Sequence, residues 1–305
     1  METKKLLLIV NPNSGKARMK TELMSVVEIF SNNGFDVTVY PTKQRADGTT
    51  MALNIKQDEY DIVVVSGGDG TLNEVITGIM QTGVNVPIGY IPSGTLNEWS
   101  QGLGISRNIK KAAEDIVNGK EITLDIGKFG DKYFSYTASF GAFTSASYTT
   151  PQNVKNILGQ SAYILEGVKS ISTIKPIHIK LIADEKTVEG DFLFGAVSNS
   201  MSVGGIVKYD ENKVKLNDGL FEIILIKNPD NILKLQPAID GILKREFDRE
   251  GIEFLHTKKL VIEGCDGLDW TLDGEHAVGC DKLVIENIHD AIRFIVPNKV
   301  ESGEK

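Results

Sequence analysis

A chain of 305 residues is long enough for two domains, and 41% hydrophobic with 24% charged residues is an ordinary balance for a soluble globular protein. The formal net charge of −8 argues against a nucleic-acid partner, because phosphate backbones select basic surfaces. No apolar run approaches the roughly 20 residues of a membrane helix, and residues 6–10 are too short for a signal-peptide core, so a cytoplasmic protein is expected. Cys265 and Cys280 lack CxxC spacing and fit a reduced compartment; the four histidines lack zinc-site spacing.

In chain order, residues 6–10 read as a strand and 21–32 as a helix ended near Gly34. A strand over 37–40, a helix over 49–56, a strand over 62–65 and a helix over 72–80 follow. Residues 86–91 form the fourth strand, stopped by Pro92, with a helix from about Leu96. Alternating strands and helices imply an α/β domain with a parallel sheet, whose ligands bind at the carboxyl ends of the strands. After Asp125 the apolar period changes to two: 177–181 and 213–216 alternate, while 192–197 and 221–226 are continuously apolar. These are strands of a mainly antiparallel second domain, expected as a β-sandwich, interrupted by helices over 156–172 and 232–248. The change of period puts the boundary near Gly127.

The run Ile62-Val63-Val64-Val65 leads into Ser66-Gly67-Gly68-Asp69-Gly70-Thr71 and then an amphipathic segment, which reads as strand, tight turn and helix. Glycines let the backbone approach a ligand or take positive φ, and the helix start offers N–H groups to an anion. An aspartate inside a phosphate site calls for a cation between the two charges, so the loop points to phosphoryl transfer; a glycine-rich strand-to-helix turn is the plain alternative. Gly70-Thr71-Leu72-Asn73-Glu74 recurs as Gly94-Thr95-Leu96-Asn97-Glu98. Each copy holds Thr-x-x-Glu, a capping box, which suffices to explain Glu74; for Glu98 capping and an active-site role stay open. Asn11-Pro12-Asn13-Ser14-Gly15-Lys16 after the first strand suits a nucleotide contact or a turn, and is no Walker A loop. Asp125, Asp218 in Asn217-Asp218-Gly219, and Asp273-Gly274-Glu275 are further acids; the last two also read as turns.

These motifs, in this order and with Ser198-Asn199-Ser200 and Gly204-Gly205, resemble the diacylglycerol kinase catalytic-domain family, in particular its soluble bacterial lipid kinases. The resemblance runs from about Lys5 to Pro297; the Gly-Gly-Asp-Gly-Thr motif alone is shared with NAD kinases and, more loosely, phosphofructokinases. It implies an ATP-binding α/β domain over 1–127, joined by a C-terminal tail, 290–305, that packs back on it. A β-sandwich lipid-substrate domain would span 128–289. Gly67, Gly68, Gly70 and Thr71 would hold the nucleotide phosphates, with Asn11, Ser14, Gly94 and Thr95 also facing the nucleotide. Asp69, Asp125, Glu98 and Glu275 would form the active-site Mg²⁺ network, Asp273 the general base, and Lys215, Asp218 and Leu220 a structural Mg²⁺ site. The family's usual Asp is Glu98 here and its Arg is Gln101, which leaves the metal network and the head group in question.

The implied activity is ATP-dependent phosphorylation of a lipid hydroxyl, with diacylglycerol the default acceptor and sphingoid bases, monoacylglycerol or phosphatidylglycerol-like lipids open. Transient contact with a membrane surface follows, a homodimer is left open, and residues 136–148 could line an acyl channel or belong to the core. The rivals are a soluble-metabolite kinase of the NAD kinase type and a non-catalytic nucleotide or lipid sensor.

Overall fold

The structure is a computed structural model that describes residues 3–15, 17–95, 97–142, 175–184, 186–200, 202–203, 207–209 and 214–298. The helix expected over 156–172, the Gly204-Gly205 segment and residues 143–148 of the suggested acyl channel lie outside these residues. Two compact units are present: Met1–Leu124 with Asp290–Lys305, and Asp125–His289.

In the first unit, β1 (Lys4–Val10), β2 (Phe35–Pro41), β3 (Ile62–Gly67) and β4 (Ile88–Pro92) pair in parallel in the order β2-β1-β3-β4. β3 and β4 are buried at every position, which is why they read as unbroken apolar runs; among the described residues β2 pairs only with β1, and it alternates in exposure. The crossovers are α1 (Met19–Asn32), α2 (Asp47–Leu53) and α3 (Asp69–Thr82). The helix expected from Leu96 is only α4 (Glu98–Gly102), and α5 (Ile109–Asn118) follows after Gly104 at φ +67°. Its start was legible: Asn108 accepts from the Lys111 N–H at 3.0 Å, and Ile109, Ala112, Ala113 and Ile116 make its buried face.

Strand β5 (Lys120–Phe129) leads into the second unit. Next come β6 (Lys132–Phe134), β7 (Thr137–Gly141), β8 (Ile177–Ala183), β9 (Thr187–Ser198), β10 (Ser202–Val203), β11 (Val207–Lys208) and β12 (Phe221–Lys227). A 3-10 turn (Ile232–Leu235) and α6 (Gln236–Lys244) precede β13 (Ile252–Thr257), β14 (Lys259–Glu263), β15 (Asp269–Leu272), β16 (Glu275–Val278) and β17 (Lys282–Val296). Pairing is antiparallel: β16-β15-β7-β9, with β9 also joined to β8 and β12, and β12 to β13.

β12 shows why its sequence is apolar without alternation. Phe221, Ile223 and Leu225 enter one core, with Trp270, Phe140 and Phe134, while Ile224 and Ile226 enter another, with Tyr209, Leu235 and Ala238. Phe140, a candidate for the acyl channel, packs at 4.8 Å from Trp270 in the first of these cores. Two expectations need correction here. Residues 214–220 are irregular backbone and a turn, where a strand over 213–216 was expected, because the Leu216 carbonyl serves Asp125 instead of a ladder. The helix expected over 232–248 is the 3-10 turn plus α6, closed by Arg245 at φ 60°. Among the described residues no helix is long and apolar enough to cross a membrane.

Candidate active site

In the first unit, three loops meet at the carboxyl ends of β1, β3 and β4. The Asn11 N–H donates to the Ser66 carbonyl at 2.8 Å, and the Asn11 Nδ2 donates to Thr71 Oγ1 at 3.1 Å. The Gly67 carbonyl accepts from the N–H groups of Ser93 and Gly94, at 2.8 and 3.1 Å. These contacts bring Asn11, Ser14, Gly67, Gly68, Thr71 and Gly94 together, with Gly70 and Thr95 exposed beside them.

The glycines of this cradle serve close approach. Gly68 has φ −89°, and none of Gly67, Gly68, Gly70 or Gly94 takes positive φ. A Cβ on Gly94 would stand 2.5 Å from the Gly68 Cα, and one on Gly67 would strike the Thr71 side chain at 2.5 Å. The loops touch backbone to backbone, which is the demand only glycine meets. No side chain caps α3, a 14-residue helix, so its first turn offers N–H groups and the positive end of its dipole to an anion.

Asp69 opens that helix. Its carboxylate accepts from the N–H groups of Glu98 at 3.0 Å and Trp99 at 3.4 Å, which fastens the start of α4 to the glycine turn. Burial pushes the Asp69 carboxyl up, and those N–H groups oppose the shift. A carboxylate at this point is an oxygen donor of the kind that can hold Mg²⁺ through water.

The capping boxes do not form. α3 starts at Asp69 and α4 at Glu98, so neither threonine occupies the cap position. Glu74 instead reaches a neighbour, accepting from the Ala46 and Gly48 N–H groups at 2.8 and 3.1 Å and so capping α2.

In the second unit, Asp273 and Gly274 are the two central residues of the β15–β16 hairpin, at φ 50° and 87°, the conformation an Asp-Gly two-residue turn adopts. The turn is also an anchor. The Asp273 side chain, 6% exposed, accepts from the backbone N–H groups of Ser135, Tyr136 (3.0 Å) and Thr137 (2.9 Å). Glu275 follows on the exposed first position of β16.

Asp125 joins the turn that carries Asp218. Its buried carboxylate accepts from the Gly219 N–H at 2.7 Å and lies 2.9 Å from His289 Nδ1. Asn199 Nδ2 donates to the Asp125 carbonyl at 2.9 Å. Within the turn the Leu220 N–H donates to Asp218 Oδ1 at 3.1 Å, and the Leu220 carbonyl accepts from Asn287 Nδ2 at 3.1 Å; Lys215 and Asp218 are exposed. Asp125 thus shares a hydrogen-bonded knot with the 215–220 segment that was expected to hold a separate metal. Asn199, Asn287 and His289 were not singled out as site residues, and their signal is tertiary.

Comparison with known proteins points one way. The family model of the diacylglycerol kinase catalytic domain matches residues 5–129. A diacylglycerol kinase of Bacillus subtilis (strain 168) is 29% identical over 297 residues, covering 97% of this chain and 97% of that protein. One of Staphylococcus saprophyticus is 29% identical over 302 residues, covering 99% and 98%. A crystal structure from Bacillus anthracis str. Sterne, of a protein provisionally named a diacylglycerol kinase, has a TM-score of 0.78 at 26% identity and covers 98% of this chain and 97% of that one.

Proposed function

We propose a specific reaction for this chain, which belongs to the diacylglycerol kinase catalytic-domain family and is a lipid kinase: transfer of the γ-phosphoryl group of ATP to the free hydroxyl of diacylglycerol. The observation that carries the ATP half is the backbone cradle at the ends of β1, β3 and β4, uncapped at α3 and holding Asp69. The acceptor is inferred from the relatives' names, over nearly the whole length of the chain.

In this reading residues 1–127 with the tail 290–305 bind ATP and residues 128–289 bind the lipid. Asn11, Ser14, Gly67, Gly68, Gly70, Thr71, Gly94 and Thr95 receive the nucleotide, the backbone N–H groups meeting phosphate oxygens. Asp273 accepts the proton of the attacking hydroxyl. Three backbone N–H groups hold its carboxylate, so the base is fixed in position. Asp69, Glu98 and Glu275 are the oxygen donors that would hold Mg²⁺, partly through water. When bound, Mg²⁺ would offset charge on the transferring group. Both carboxylate oxygens of Asp125 are engaged by Gly219 and His289, so in this scheme it supports the 216–220 turn, with Lys215, Asp218 and Leu220 beside it as the structural Mg²⁺ set. The enzyme would meet its lipid by transient contact at a bilayer surface.

The test is phosphoryl transfer from γ-labelled ATP to mixed-micelle diacylglycerol, with monoacylglycerol, sphingosine and NAD as competing acceptors. Labelled phosphatidic acid is the expected product. Labelling of NAD, or of no lipid at all, would remove the reading.

A further inference from the structure

The phosphate cradle is made of backbone, yet one fully buried side chain reaches up to it from the strand beneath. Tyr90, in the middle of β4, is 0% exposed. Its hydroxyl lies 3.2 Å from the Gly67 carbonyl and 3.2 Å from Asn97 Oδ1. Burial, and after it the charge of Asp69, push the phenol up, so the group is a neutral hydroxyl with one proton to give. The Gly67 carbonyl already accepts from two N–H groups, Ser93 and Gly94, whereas, among the described residues and apart from Tyr90, Asn97 Oδ1 accepts from Gly94 alone, at 3.0 Å. A carbonyl oxygen has two lone pairs, so the Tyr90 proton belongs to Asn97. That bond also sets the Asn97 amide, with Oδ1 toward Tyr90 and the Gly94 N–H and Nδ2 donating to the Gly94 carbonyl at 2.9 Å.

Asn97 is itself constrained. It is 2% exposed, holds the left-handed conformation at φ 50°, and directly precedes Glu98 and Trp99, whose N–H groups grip Asp69. The path runs from the Tyr90 hydroxyl to Asn97, to the first N–H groups of α4, to the Asp69 carboxylate at the start of α3. The same amide fixes Gly94, whose Cα lies against Gly68.

We propose that Tyr90 is a positioning residue of the phosphate site: acting through Asn97, its hydroxyl sets the Gly94 turn and the orientation of Asp69 against the glycine loop. The inference rests on the proposed ATP reading and deepens it by naming a side chain, remote from the ligand, that tunes nucleotide affinity.

The experiment measures equilibrium binding of ATP by displacement of a fluorescent ATP analogue, alongside KM for ATP, KM for diacylglycerol and Tm. Tyr90→Phe keeps the ring and its packing and removes only the hydroxyl. It is expected to weaken ATP binding about three- to tenfold, the scale of one buried hydrogen bond, with KM for the lipid unchanged. In a double-mutant cycle with Asn97→Ala the two losses should overlap, the double variant binding no more weakly than Asn97→Ala by itself. Unchanged ATP binding in Tyr90→Phe overturns the inference, as do additive losses. A fall in Tm accompanied by equal changes in both KM values also overturns it, since that is the mark of a purely structural role. Wild-type protein that fails to bind ATP overturns the nucleotide reading and this inference with it; wild-type binding with an unaffected Tyr90→Phe overturns the inference alone.

Discussion

The glycine cradle of the first unit and the Asp273 hairpin of the second solve one problem by opposite means. Each holds a carboxylate with backbone N–H groups: Glu98 and Trp99 for Asp69, and residues 135–137 for Asp273. In the cradle, glycine is required for room, because Gly94 and Gly68 touch at the backbone while neither takes positive φ. In the hairpin, glycine is required for φ, because Gly274 sits at +87° with nothing within 4 Å of its missing Cβ. The lesson is that glycines placed near two aspartates answer to different forces: steric exclusion between loops in one place, and the left-handed backbone of a tight turn in the other.

The sharpest break would come at Asp69. Asp69→Ala is expected to abolish turnover with the protein still folded, losing about 1 kcal/mol for the N–H groups left at α4. Asp69→Asn keeps an oxygen for those N–H groups but lacks the charge, so it too should be inactive if a cation is held there. Robust turnover of Asp69→Asn at saturating Mg²⁺ would reduce Asp69 to a fastening of α4.

Asp273→Asn should lower kcat by about 10² or more while ATP affinity stays within about twofold. The amide must also turn an NH₂ group toward backbone donors, so a drop in stability of roughly 1–3 kcal/mol should accompany it in a denaturation curve. Collapse of ATP affinity with kcat retained would make Asp273 a binding residue.

The two glycines can be separated by Ala and Asn. Gly94→Ala should cost about 1–3 kcal/mol and weaken ATP binding, and Gly94→Asn should be worse, since both add atoms where a Cβ already stands 2.5 Å from Gly68. Gly274→Ala should cost roughly 1 kcal/mol and Gly274→Asn less, because asparagine tolerates the left-handed region. Equal penalties for Asn at the two sites would erase the distinction drawn here.

A pH effect is expected from the second unit. Glu222, on β12 and 1% exposed, has its carboxyl pushed up to about 8 by burial, and its Oε2 has no partner among the described residues. Its folded value lies above the ordinary 4.5, so between the two values the native protein binds more protons than the unfolded chain, and this group's contribution weakens as pH rises. Between pH 6 and 8 the loss should be roughly 2 kcal/mol, and Glu222→Gln should flatten that slope in thermal melts. A slope unchanged by Glu222→Gln would place the dependence elsewhere.

The smallest effects are expected at Glu98. With α4 starting at Glu98 there is no capping box to lose, so Glu98→Gln and Glu98→Asp should each shift stability by less than about 0.5 kcal/mol. Activity then reports the network role: Glu98→Gln should lose turnover severalfold, on the order of one lost charge-assisted contact, and Glu98→Asp should largely keep it. Full activity of Glu98→Gln with unaltered Mg²⁺ dependence would exclude Glu98 from the network.

Much of this protein was set by local sequence. Buried parallel strands announce themselves as β-branched runs, and the change to period two after Asp125 marks where the strands become antiparallel, because side-chain spacing follows burial face by face. The glycine loop, its aspartate and the Asp-Gly turn were legible for the same reason: glycine and aspartate report backbone demands that act over a few residues. What no short window could supply was partner choice. Glu74 looked like the cap of its own helix and caps α2; Asp125 finds Gly219 and His289 as partners; Tyr90, inside the fourth strand, reaches Asn97 with its hydroxyl. Sequence assigns a carboxylate or hydroxyl its chemistry. Which N–H group it meets depends on how elements far apart in the chain are brought side by side, and only the tertiary structure decides that.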